Sequence, residues 1–216
     1  METVIQTKVD KFFSQFQVRR YPKNEIILYP EDQPPGAIYI KSGYVREYNI
    51  SLDGVEITIH LFAPHSFFPM TWVMSDIKNR YYYEALTEVE VYSVPKDAVN
   101  SFLKENPDVL YSLTKRLLHG LDKLTLRIEQ LTYGKAHVRM ISTLFYLARH
   151  FGKITNNTAT ITEKFTHREI AAFAGMTRET ASREWEKLHQ KGLINYDNQH
   201  IVITDIEKLK KEQDST

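Results

Sequence analysis

The chain has 216 residues, no cysteine, 28 Lys/Arg against 27 Asp/Glu, and 42% apolar side chains. That length suits one large or two small globular domains, each able to bury its own core. The missing thiols exclude disulfides, thiol catalysis, iron–sulfur clusters and thiolate-bound haem, and a net charge of +1 excludes a polycation that coats nucleic acid as a whole.

The first residues, Met1 to Lys11, mix charged and polar types without the basic and apolar blocks of a signal peptide. No apolar run approaches the ~18 residues of a membrane span, so a cytoplasmic protein with no membrane partner is expected. Charge is uneven along the chain. From Lys135 onward there are 13 Lys/Arg against 10 Asp/Glu, whereas the preceding part is slightly acidic, which weakly favours a nucleic-acid-binding C-terminal half.

Residues 21–95 read as short strands separated by turn signals. The apolar runs are Ile26 to Tyr29, Ala37 to Ile40, Tyr44 to Tyr48, Val55 to Phe62 and Val89 to Val94. Pro34-Pro35-Gly36 and Ser42-Gly43 punctuate them, and Asp53-Gly54 between two alternating runs predicts a hairpin. Many short strands at close spacing imply a sandwich or roll.

Helical periodicity takes over from there. Pro95 to Glu105 is a short helix, and Pro107 suits the first position of a longer one running to Leu131. Leu110 starts a stripe that continues as Leu117, Leu121, Leu124, Ile128 and Leu131, spaced alternately four and three apart from Leu117 on. Such a stripe predicts a two-helix seam, while Leu113 and Leu118 widen it toward the chain's own sensor domain. Tyr133-Gly134-Lys135 is the expected hinge. A second helix carries Val138, Ile141, Leu144, Phe145 and Ala148 on one face, and Gly152 is expected to end it in a left-handed conformation. A small hairpin is expected over 153–162.

Residues 166–188 carry most of the functional information. Thr166 with Glu169 three places on is a capping box, so a helix should start at His167 and run to Ala174. Gly175-Met176-Thr177 is a tight turn, and Thr177 caps a second helix from Arg178 to His189, with Ala181, Trp185 and Leu188 inward. Two helices joined by a short Gly-containing turn describe a helix-turn-helix. The outer face of the second helix offers Arg178, Glu179, Ser182 and Arg183, types that suit base edges in the major groove. Gly192 to Tyr196 and His200 to Thr204 form a strand–turn–strand wing, and Lys187, Lys191 and His200 are candidates for phosphate contacts.

With these motifs in place the chain resembles the Crp/Fnr superfamily, the cyclic-AMP receptor proteins and their relatives. The resemblance rests on Phe165-Thr166-His167-Arg168-Glu169-Ile170-Ala171, on Gly175-Met176-Thr177-Arg178-Glu179-Thr180-Ala181-Ser182-Arg183, and on Gly192-Leu193-Ile194 with Ile201-Val202-Ile203. In the front half it rests on Tyr39 to Arg46 and on Asp53-Gly54-Val55-Glu56. It implies an α+β protein in three parts: a double-stranded β-roll sensor over 1–106, a dimerisation helix over 107–134 and a winged helix-turn-helix over 135–216. It also implies base contacts from Arg178, Glu179 and Arg183, with Thr180 near phosphate and Thr166 and Thr177 at the DNA-facing helix ends. Ser182 matches the oxygen-responsive branch, and Arg178 looks more like the cyclic-AMP branch.

The sensor departs from the family pattern. Where cyclic-nucleotide binders carry Gly-Glu, this chain has Pro69-Met70, which removes a carboxylate and an amide donor. The phosphate clamp aligns with Asn79-Arg80, one place out of register. Of two helix hydroxyls only Thr125 remains, beside Leu124. The candidate effector pocket is therefore Phe68, Met70, Trp72, Arg80, Tyr81, Leu124 and Thr125, suited to an uncharged or aromatic molecule rather than cyclic AMP. Other readings of the front half are a ligand-independent regulator with a degenerate sensor, and a cyclic-nucleotide-responsive one with a shifted clamp. A metal-binding cupin is disfavoured because His60 and His65 lack the required spacing. No catalytic residue, metal or cofactor is expected. Candidate partners are a palindromic double-stranded DNA operator, a second copy of the chain, RNA polymerase and an unidentified small molecule.

Overall fold

The computed structural model describes residues 3–133 and 135–214, with side chains omitted at 123, 126, 127, 129–133 and 214. The chain divides into two compact units, one made of Met1–Asn49 and Thr58–Asp122, the other of Ile50–Ile57 and Lys123–Thr216. The division falls inside the long helix, ahead of the hinge expected near Gly134. That glycine and the Leu131 side chain lie outside the described residues.

The front of the chain runs α1 (Thr3–Phe13), β1 (Val18–Tyr21), β2 (Ile26–Leu28), β3 (Gly36–Ser42), β4 (Val45–Ile50), β5 (Glu56–Phe62), β6 (Phe67–Phe68), α2 (Met70–Ser75), β7 (Tyr82–Ala85), β8 (Val89–Pro95) and α3 (Lys96–Glu105). Two four-stranded sheets form, ordered β1-β8-β3-β6 and β2-β7-β4-β5. Every pairing resolved between these strands is antiparallel. This is the expected double-stranded β-roll. The Asp53-Gly54 turn closes as expected, with the Gly54 amide on the Ser51 carbonyl at 2.9 Å and Gly54 at a φ of 76°.

Strand β3 is buried on both faces. Ile38 and Ile40 point between the sheets, where they meet Leu28, Val45, Phe68, Tyr83, Ala85, Val89 and Val91. Ala37 and Tyr39 point the other way, into a second cluster with Val9, Phe13, Phe67, Val73, Val99, Leu103 and Val109. Residues alternate between faces along a strand, so adjacent Phe67 and Phe68 serve opposite cores. The sequence reading missed α1, although Ile5, Val9, Phe12, Phe13 and Phe16 recur at helical spacing and all join the second cluster.

Helix α4 (Pro107–Tyr133) is 27 residues long, close to the expected span. Val109 and Leu113 pack against the roll, whereas Leu117, Leu121, Leu124 and Ile128 are exposed, three of them by more than half. Leu110 is half-buried. Among the described residues no helix is long and apolar enough to cross a membrane.

The second unit continues with α5 (Ala136–Phe151), β9 (Gly152–Thr155), β10 (Thr158–Ile161), α6 (His167–Ala174), α7 (Arg178–Gln190), β11 (Ile194–Asp197), β12 (His200–Ile203) and α8 (Ile206–Asp214). The expected 153–162 hairpin and the wing join in one sheet, ordered β11-β12-β10-β9. The expectation for Gly152 needs correction. Its φ is −92°, an extended conformation that opens β9, so no left-handed residue ends α5 here. Glycine is needed for a different reason, since a Cβ would sit 2.1 Å from the Ala148 carbonyl oxygen.

Phe68 is 1% exposed and stacks on Tyr83 with ring centroids 4.7 Å apart. Truncating a buried aromatic leaves a void, so Phe68→Ala should cost about 3–5 kcal/mol of stability, read as a shifted denaturant midpoint with an unchanged slope. A loss below about 1 kcal/mol would mean that this core collapses without penalty.

Candidate nucleic-acid interface

Helix α6 starts where the capping box placed it. The Glu169 amide donates to Thr166 Oγ1 at 3.2 Å, and Glu169 Oε2 accepts from the Thr166 amide at 2.6 Å. Gly175 ends the helix with φ 60° and ψ 46°, a left-handed conformation that side chains disfavour. Thr177 then caps α7, accepting from the Thr180 amide at 3.2 Å. The helix-turn-helix geometry is therefore set largely by local residues.

The inner face of α7 is Ala181, Glu184, Trp185 and Leu188, all buried. These positions recur at three and four, so the opposite face is fixed as Arg178, Glu179, Arg183, Glu186 and Lys187, all exposed. Glu179 stays ionised more readily than usual, because its own backbone amide, the Thr177 hydroxyl and Arg178 stabilise the carboxylate at the helix N-terminus. Thr180 is half-buried, and its hydroxyl accepts a long contact from Arg183 Nη2 at 3.4 Å.

Ser182 departs from the expectation of a freely exposed residue. It is half-buried, and its hydroxyl lies 3.0 Å from His167 Nδ1. Burial, and then the Arg178 charge, push the His167 pKa down, which favours the neutral imidazole. A stack backs this pair, with Tyr196 on Trp185 at 4.6 Å and on His167 at 6.3 Å between centroids. The wing strand β11 is thereby held against both helices of the motif.

Of the phosphate candidates, His200 is half-buried on β12, and the two lysines are engaged within the chain. Lys187 Nζ donates to Glu184 Oε1 at 2.7 Å, and Lys191 pairs with Glu212. His137, at the start of α5, lies between the two carboxylates, with Nδ1 2.8 Å from Glu184 and Nε2 3.1 Å from Glu212. Burial raises the Glu184 pKa, but hydrogen bonds from Lys187 and His137 outweigh it and hold the carboxyl below its ordinary range. This chain of charges borders a cavity of about 370 Å³ and ties α5, α7 and α8 together. Sequence reasoning missed Glu184, His137 and Glu212. The only signal was a Glu among the inward positions of α7.

The roll residues proposed as an effector pocket do not converge. Phe68 and Tyr81 belong to the cluster between the sheets, whereas Met70 and Trp72 pack on the far side of β3 with the helices. Arg80 is exposed. Its neighbour Asn79 is buried, donating to the Tyr29 and Tyr81 carbonyls at 2.7 and 2.8 Å, and so is spent on fixing the loop. Leu124 and Thr125 are exposed on α4. Among the described residues no cluster of three or more His, Asp or Glu could hold a metal.

Comparison with known proteins agrees with this geometry. A Crp-like helix-turn-helix domain matches residues 138–212, and a cyclic nucleotide-binding domain matches residues 18–106. The chain is 29% identical over 188 residues to the global nitrogen regulator of Nostoc sp., covering 86% of this chain and 84% of the relative. It is 27% identical to the cyclic AMP receptor protein of Thermus thermophilus, covering 87% and 83% respectively. A solved Crp/Fnr family transcriptional regulator from Thermus thermophilus superposes with a TM-score of 0.76 at 26% identity, covering 92% of this chain and 98% of that one.

The caps yield a stability test. Thr166→Ala and Thr177→Ala should each cost about 1 kcal/mol by removing a cap. Thermal unfolding reads this directly. Unchanged melting combined with lost DNA affinity would instead make these hydroxyls DNA contacts.

Proposed function

Since the chain belongs to the Crp/Fnr superfamily, a family of DNA-binding transcription regulators rather than enzymes, we propose that it works as a homodimer on a palindromic operator. Arg178, Glu179, Ser182 and Arg183 read bases in each half-site. The observation that carries this reading is the face of α7 left open by burial of Ala181, Trp185 and Leu188, since that face presents a guanidinium, a carboxylate and a second guanidinium. Arg183 can fork onto guanine O6 and N7, and Glu179 can accept from a cytosine amino group. Ser182 joins through a hydroxyl whose orientation His167 sets. Thr180, Lys187 and Lys191 contribute to phosphate contacts. The two lysines must exchange their internal carboxylate partners to do so.

In this reading residues 1–106 sense, 107–134 dimerise and 135–216 bind DNA, in the cytoplasm and in contact with RNA polymerase. Dimerisation is supported by the exposed stripe Leu117, Leu121, Leu124 and Ile128, because a regular apolar line along a helix stays in water only at a cost. Cyclic AMP is not the effector. Pro69 offers no amide, Met70 no carboxylate, and Arg80 is exposed to solvent.

Two measurements test this function. The double variant Leu121→Glu, Leu124→Glu should sediment and scatter light as a monomer and lose operator binding; a persistent dimer would overturn the seam. Arg183→Ala should lose about tenfold or more at the selected operator while barely changing affinity for a scrambled duplex, titrated at several salt concentrations. Equal loss on both duplexes would move the base-reading face elsewhere.

A further inference from the structure

The cluster between the two sheets of the roll is apolar, and one carboxylate enters it. Strands β4 and β7 pair in register as Val45 with Ala85, Arg46 with Glu84, Glu47 with Tyr83 and Tyr48 with Tyr82. Directly opposed residues share a face, and Val45, Ala85 and Tyr83 all lie in the inter-sheet cluster. Glu47 therefore points inward as well, and Tyr83 donates its hydroxyl to Glu47 Oε1 at 2.9 Å. Arg46, its neighbour in sequence, faces the opposite way and is taken by Glu84 at 2.8 Å. Among the described residues no cation pairs with Glu47, and the Tyr83 hydroxyl is the one side-chain donor it has.

An inward carboxylate with a single neutral donor is poorly compensated, because it has given up water without gaining a positive charge. Among the described residues, the cluster around it carries no positive charge, and the one base packed on it is His60, whose ring lies against Phe62 with centroids 4.5 Å apart. From the facing sheet come Ile38, Ile40, Phe68, Val89 and Val91, and the titratable groups on its own side are the Tyr83 and Tyr81 phenols. Burial, the largest influence, raises the Glu47 pKa despite the Tyr83 hydrogen bond. What the site does offer is aromatic surface. Phe68 lies parallel to Tyr83, and Phe62 leans on both at 5.1 and 6.0 Å. Phe68 and Tyr83 are buried, whereas Glu47, Phe62 and Tyr81 are half-buried, so a solute meets the pair from the Glu47 side.

We propose that Glu47 and Tyr83 are the recognition pair of an effector site inside the roll, and that this site takes a compact aromatic cation rather than an anion. The carboxylate supplies the missing counter-charge, and the half-exposed rings of Phe62 and Tyr81 supply stacking and cation–π attraction. The same charge repels phosphates and carboxylates. Where Glu47 is protonated, a cation must displace the proton, so affinity rises with pH through the Glu47 pKa.

The inference rests on the reading of residues 1–106 as a sensor, and its test uses the full chain without DNA, so its failure and that of the operator reading are separable. Three probes share one ring and differ in charge: benzamidine, benzamide and benzoate, with cyclic AMP as a fourth. Titration calorimetry and thermal melting should favour benzamidine over benzamide by about tenfold, with benzoate and cyclic AMP weaker still. Glu47→Gln should bring benzamidine down to the benzamide level. It should also leave the ligand-free melting temperature unchanged or higher, because an uncompensated carboxylate has been neutralised. Absence of benzamidine binding, tighter binding of benzoate or cyclic AMP, or benzamidine binding that survives Glu47→Gln would overturn the proposal. So would a Glu47→Gln variant that melts lower, since that would make the pair a structural one.

Discussion

Apolar burial assigns faces, and the assignment fixes what every polar side chain can do. In α7 the burial of Ala181, Trp185 and Leu188 consumes one side of the helix and leaves Arg178, Glu179 and Arg183 on the other. In β3 burial consumes both sides, so Ile38 and Ile40 organise the roll interior while Ala37 and Tyr39 anchor the helices. Each buried side chain of this size contributes roughly 1.5–3 kcal/mol relative to exposure, more than a typical surface hydrogen bond, so the apolar set decides orientation and the polar set is oriented by it.

In the helix-turn-helix this produces a second helix, α7, held from three directions. Thr177 caps its start, the Tyr196 ring from the wing stacks on Trp185, and Glu184 joins His137 and Lys187 behind it. These restraints reach the helix from its own N-terminus, from the wing and from α5. Arg183 and Glu179 on its exposed face are thereby held in fixed positions relative to both neighbouring elements.

In the front unit, too, packing commits the polar side chains. Asn79 is committed to the Tyr29 and Tyr81 carbonyls. The inward face of β4 carries Glu47 opposite Tyr83, so a carboxylate and a phenol meet inside an otherwise apolar cluster. The strands of the roll are set by the alternation of buried side chains.

The short strands, the long helix, the capping box, the glycine turn and the exposed face of α7 were legible in the amino-acid order, because each depends on neighbours within a few residues, whereas the roll that joins the strands pairs residues as far apart as Val18 and Tyr92. Thr166 and Glu169 cap one another across three positions, and the stripe from Leu117 to Ile128 repeats on one helix. Contacts that join distant segments were legible only in the folded chain. Folding placed His167 against Ser182, 15 residues on, and His137 between Glu184 and Glu212. It divided Phe68 from Met70, two residues away, between opposite sides of a sheet, and turned Glu47 inward while Arg46 turned out. Local spacing fixes periodicity, but which face meets which core depends on packing between elements far apart in the chain, and no short-range pattern carries that information.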